Sequence, residues 1–214
     1  HLSSLSRVTV AIVSADIKSK FAKKCVSLVK EHTMNVDLII LDNNKGADFR
    51  HSREMNKVLR IVETDFLVLM DDDIYVEKNW LSGLMKCVDD ETGVVVPLHK
   101  DKDGTLSYSG AYLAGDGLGN HEHLTDIPQY PREVMCLCSA ILLIDLRKLR
   151  HIFMDEKYSK YFFDLVYGFE VWEAGYKVVC TPDVSVTHLG ISTAQSHLSS
   201  LSRVTVAIVS ADIK

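Results

Sequence analysis

The chain has 214 residues, 47% hydrophobic and 25% charged, which is enough for one well-buried core. A formal net charge of −5 without any basic run gives no footing to nucleic-acid binding or to an anionic membrane surface. No apolar stretch reaches the ~18 residues needed to cross a bilayer, and the N-terminus lacks a signal-peptide profile.

A cytoplasmic protein, at most peripheral to a membrane, is therefore expected. Four prolines and no low-complexity linker argue for one domain. Five cysteines (Cys25, Cys87, Cys136, Cys138 and Cys180) are an odd number set mostly in apolar segments. They read as reduced core residues. Cys136 and Cys138 stand too close for a usual zinc pair, and no second pair accompanies them.

In chain order, residues 8–13 form a plain apolar run and predict a buried strand. Residues 19–32 follow with Phe21, Cys25, Leu28 and Val29 at helical spacing. A second strand over 36–41 ends in the polar turn that starts at Asp42-Asn43-Asn44. A helix over 52–63 turns Met55, Val58, Leu59 and Val62 inward, and a third strand covers 66–70. A helix over 80–88 and a strand over 93–97 complete a β-α-β-α-β-α-β pattern, which demands a mostly parallel sheet. Glycines punctuate 98–132, read as short strands and a mobile loop. A long buried strand is expected over 134–144 and a helix over 161–174 that Gly175 caps. Trp172 and Tyr176 read as core residues. A last strand over 177–180 leads through Pro182 to 184–188.

Residues 1–18 recur letter for letter as 197–214. Both copies carry the same buried strand, and one sheet has one slot for it. An artefact, a repeat boundary and a swapped strand in an exchanged oligomer all fit. Chemistry is therefore assigned to residues 1–196.

Asp71-Asp72-Asp73 closes the apolar run Phe66-Leu67-Val68-Leu69-Met70. A buried strand that ends in carboxylates delivers oxygen ligands to the carboxyl edge of a sheet, where open α/β folds bind ligands. Three adjacent carboxylates repel one another and resist desolvation. A hard cation such as Mg²⁺ or Mn²⁺ would relieve that cost and bring a phosphate-bearing substrate with it. The plain alternative is a solvated acidic turn.

Four blocks, in order and register, give the chain a wider resemblance. They are residues 8–14, residues 38–44, residues 66–81, and residues 164–179 with their Gly175-Tyr176-Lys177 turn. Together they resemble the GT-A glycosyltransferases, in particular the large inverting family 2, over about residues 7–190. The implied fold is a three-layer α/β/α sandwich with a mostly parallel central sheet.

The resemblance implies roles. Ser14 to Asp16 would line the nucleotide pocket, and Asp42 and Asn43 would hold base or ribose, although Asp42 also suits a turn-former. The triplet matches the DXD-type signature, with Asp73 on the metal and Asp71 and Asp72 supporting. The register of the triplet is ambiguous, and Asp72 is able to stand in for Asp73. A late histidine, His188, would complete the coordination of Mn²⁺ or Mg²⁺. Asp164 is the implied general base, although an Asp at a helix start is also favoured by the macrodipole. The chain departs from the family pattern there: Phe163 replaces a second acid, and Glu170 stands near the place of a frequent arginine. Residues 115–123 fit a lid better than a phosphate loop.

The implied activity is inverting transfer of a sugar from a nucleotide-diphosphate donor, UDP- or dTDP-type, to an acceptor hydroxyl of a glycan or other molecule. A cell-surface polysaccharide is the default product. Open alternatives are a retaining glycosyltransferase or nucleotidyltransferase on the same fold, and a non-catalytic glycan- or partner-binding module with a vestigial site.

Overall fold

Alternate residues of the central strands point to opposite faces, and both faces are apolar. In the computed structural model, which describes residues 7–44, 48–113, 121–124 and 126–190, this pattern builds a sheet covered on both sides. The elements are β1 (Val8–Ser14), α1 (Lys20–His32), β2 (Asp37–Asp42), α2 (His51–Ile61), β3 (Phe66–Asp71) and β4 (Ile74–Tyr75). There follow α3 (Trp80–Met85), β5 (Thr92–Lys100), β6 (Leu106–Tyr108), β7 (Ala111–Leu113), β8 (His121–His123) and β9 (Arg132–Glu133). The chain continues with β10 (Ile141–Asp145), α4 (Leu146–Leu149), α5 (Phe163–Glu173) and β11 (Lys177–His188).

The main sheet runs β2-β1-β3-β10-β5-β11-β4. Its long strands are parallel except β10, which lies antiparallel between β3 and β5. Leu67 and Leu69 of β3 pack with Met55 and Leu59 of α2 and with Leu165 and Val171 of α5. Phe66, Val68 and Met70 pack with Cys25 and Val29 of α1 and with Trp80 and Leu84 of α3. The result is the three-layer α/β/α arrangement expected from the sequence. Among the described residues no helix is long and apolar enough to cross a membrane.

α1 begins where its cap dictates, with the Ser19 side chain accepting from the Ala22 N–H at 3.1 Å. Other expectations need correction. The apolar run at 134–144 is not one strand. Val134 donates to the Val178 carbonyl and Cys136 to that of Ala111, so the run is buried while switching partners, and only β10 is continuous. The two late strands are one, β11, which stays paired with β5 across an irregularity between Thr181 and Ser185 that takes up Pro182. Trp172 is not core: it is 41% exposed, whereas Tyr176 packs against the buried cluster. β1 fills the slot between β2 and β3, and the repeat at 197–214 lies outside the described residues. So do residues 115–120 of the expected lid, together with the side chains of 121–123.

Asp145 ends β10 and is 2% exposed, with its carboxylate accepting from Arg147 at 2.6 Å and lying 3.3 Å from Lys148 Nζ. Burial pushes this carboxyl up, but the Arg147 hydrogen bonds and the two cationic charges outweigh that and hold it below the ordinary value. A depressed carboxyl adds stability above its unfolded pKa of about 3.9 and loses it as pH falls through the folded value. Asp145→Asn should therefore cost about 1–3 kcal/mol at neutral pH. The gap from wild type should close in acid, as read by urea unfolding at about pH 7 and about pH 3.

Candidate active site

The carboxyl ends of β1, β2 and β3 lie side by side because these strands are parallel and in register: Ser14 pairs with Asp42, and Val13 with Asp71. β10 runs the opposite way, so its start reaches the same edge, where Ala140 accepts from the Asp71 N–H at 2.9 Å. β11 brings His188 there from the far side. The two-residue strand β4 pairs with it, His188 opposite Ile74.

Each carboxylate of the triplet meets a different element. Ser14, fully buried on β1, donates its hydroxyl to Asp72 at 2.5 Å. His188 Nε2 stands 3.6 Å from Asp73 Oδ1, and the Leu189 N–H donates to the Asp73 carbonyl at 3.1 Å. His51 Nε2, at the start of α2, stands 3.3 Å from Asp71 Oδ1. Burial pushes the Asp72 carboxyl up to about 6; the Ser14 hydroxyl opposes this, while the charges of Asp71 and Asp73 add to it. Burial works against the His51 imidazolium, yet the adjacent Asp71 carboxylate prevails and raises its pKa.

Asp42 and Asn43 sit at the rim. Asp42 Oδ1 accepts from the N–H groups of Ile17 at 3.2 Å and Asn44 at 2.9 Å, which is turn chemistry. The Asn43 N–H donates to the Ser14 carbonyl. Asp16 caps its own turn by accepting from the Lys18 N–H at 3.1 Å. The turns following β1 and β2 are thus tied together at one end of the triplet.

Asp164 lies in the first turn of α5. Its Oδ2 accepts from the Ser139 N–H at 3.3 Å and its Oδ1 from the Leu165 N–H at 3.0 Å. The preceding Phe162 has φ 65°, a left-handed conformation costly for a bulky residue and of a kind that gathers at functional sites. Cys138 stands nearby as an uncharged thiol. Burial, then Asp164, push its thiol up to about 12, with smaller additions from Asp71 and Asp73.

An ion suits this donor set. Asp71 Oδ1 is a buried oxygen without an aligned hydrogen-bond donor among the described residues. Carboxylate oxygens with one imidazole nitrogen are ligands that Mn²⁺ and Mg²⁺ accept. Among the described residues no three such side chains converge into a ready-made cage. The remaining coordination positions would fall to phosphate oxygens and water, the usual division for small hard cations.

His51 and the Ser139 N–H escaped the sequence reading. A lone histidine at a helix start carries no pattern, and a backbone donor has no residue signature. His99 escaped for the same reason; it is buried on β5, and its ring meets the His188 ring edge-on at 5.7 Å.

The family model described as glycosyl transferase family 2 matches residues 19–153, more than half of the chain. Nothing matches among curated protein sequences. Solved structures do. GalNAc-T7 with UDP, GalNAc and Mn²⁺ superposes with a TM-score of 0.68 at 13% identity, over 87% of this chain and 44% of that one. TarS 1–349 of S. aureus gives 0.60 at 12% identity, over 86% and 60%. The mannosyltransferase PcManGT of Pyrobaculum calidifontis, in complex with GDP-Man and Mn²⁺, gives 0.59 at 13%, over 85% and 56%. This chain spans about half the length of these relatives, and at such identities the likeness establishes the fold.

Proposed function

Because the chain belongs to glycosyl transferase family 2, we propose that it transfers a sugar, with inversion, from a nucleotide-diphosphate donor to an acceptor hydroxyl in a reaction dependent on Mn²⁺ or Mg²⁺. The observation that carries this reading is the meeting of buried Asp73 with His188, 3.6 Å apart, beside the half-buried Asp71 and Asp72 at one sheet edge.

Asp73 and His188 would hold the cation, with Asp71 and Asp72 behind them. When bound, the cation supplies positive charge against the negative charge that gathers on the departing diphosphate. Asp16, Asp42 and Asn43 would line the rim where the nucleoside rests, with the buried Ser14 behind them bracing Asp72, and a carboxylate suits a uracil- or thymine-type N–H. Asp164 accepts the proton of the acceptor hydroxyl as that oxygen bonds to the anomeric carbon. The bond from that carbon to the diphosphate oxygen breaks, and its electron pair leaves with the diphosphate. Attack from the face opposite the leaving group inverts the centre. Uridine- and thymidine-type donors are favoured, with a glycan hydroxyl as acceptor.

Titration calorimetry with uridine, thymidine and guanosine diphosphates, with and without Mn²⁺, is the first test. Binding of at least one, abolished by a chelator, is the expected result. Transfer from a nucleotide-sugar panel, with the product anomer read by NMR, then tests inversion. A protein that binds none of these diphosphates in the presence of the metal is not this enzyme.

A further inference from the structure

His51 takes no part in the mechanism above, yet it touches both of its halves. Its Nε2 is 3.3 Å from Asp71 Oδ1, and among the described residues it is the one side chain at ion-pair distance from Asp71. The flat of its ring lies over Phe163, the residue directly before Asp164, with planes 11° apart and centroids at 6.1 Å. Phe49 closes on the ring at 4.8 Å and 82°. Phe163 is 2% exposed and follows the left-handed Phe162. The imidazole is thus clamped by two aromatic rings with a nitrogen against a carboxylate that lacks an aligned donor.

We propose that His51 is a positioning residue of the transferase site: it fixes the Asp71 carboxylate and couples it, through Phe163, to the turn that carries Asp164. The inference rests on the transferase reading of the carboxylate cluster. It divides the triplet by partner, with Ser14 holding Asp72, His51 holding Asp71, and Asp73 left to face the cation with His188. Few side chains fit the place. A planar ring lies parallel to Phe163 while its edge nitrogen stands at ion-pair distance from Asp71; an aliphatic residue offers no nitrogen, and an amide offers one without the ring. Phe163, the apolar departure from the family's acidic pair, then has a use as the surface on which that ring rests.

The test compares His51→Ala, His51→Gln, Asp71→Asn and the His51→Ala/Asp71→Asn double variant in transfer assays with saturating metal. His51→Ala should lower kcat by about 10–100-fold, the usual effect of losing a residue that orients a metal-site group. His51→Gln, which keeps an N–H near the Nε2 position but has no ring to set against Phe163, should recover only part of that loss. The double variant should be no slower than Asp71→Asn alone, because His51 acts through Asp71. A merely structural role would lower the melting temperature and leave the two effects multiplicative. Wild-type kcat in His51→Ala, or multiplicative effects, overturns the proposal. An arm without substrate separates this from the transferase reading: in ¹⁵N-histidine NMR of the free protein, Asp71→Asn should move the His51 Nε2 signal. A moved signal in a protein that transfers no sugar removes the transferase reading and leaves the contact. An unmoved signal in an active enzyme removes the positioning role alone.

Discussion

Asp164→Asn should lower kcat by about 10²–10⁴-fold, the range spanned by loss of a general base, while nucleotide binding stays near wild type. The side chain lies on α5, away from the Ser14–Asp72 contact and the rim turns proposed to hold the nucleotide. An amide carbonyl oxygen still accepts one of the N–H groups that Asp164 holds, from Ser139 or Leu165, so the start of α5 should keep its geometry. Single-turnover kinetics together with calorimetry on the variant check the expectation. Unchanged kcat with intact binding would move the proton to another acceptor.

Asp73→Ala should produce the largest loss in the donor half, on the order of 10²-fold or more in kcat/KM, beyond what loss of an orienting residue costs. Metal-dependent nucleotide binding should fall with it. The melting temperature should respond in the opposite sense to an ordinary buried truncation. Asp73 is 7% exposed and adjoins two further carboxylates, so removing its charge relieves repulsion that offsets the loss of its contact with His188 in the metal-free protein. A metal-free variant at least as heat-stable as wild type, with metal-dependent binding gone, is the expected pair of results. A large stability loss with metal dependence intact would make Asp73 a structural residue and put the cation on Asp72.

The layers were legible in the chain because their signals are local. The helical spacing of Met55, Val58 and Leu59 and the unbroken apolar run before Asp71 each lie within one element. The carboxylate cluster was visible for the same reason. The antiparallel sense of β10 was not, because a strand buried on both faces reads the same in either direction. That sense matters for the site, since it brings Ser139 to the edge where its N–H meets Asp164. The pairing of Ile74 with His188 was hidden too, being a two-residue strand set by register with a distant partner. His51 lies twenty positions before Asp71 and reaches it only through the return of a helical crossover, a distance no spacing rule covers.

The pairing of β4 with the end of β11 has a consequence for how the protein is made. Asp73 leaves the ribosome more than a hundred residues before His188. Until that final strand zips onto β5 and β4, a nascent chain carries three clustered negative charges with no imidazole beside the last of them. On the proposed reading, the cation site is complete only once residue 188 has been made, and a chain cut short before it would lack the imidazole proposed to share the cation with Asp73.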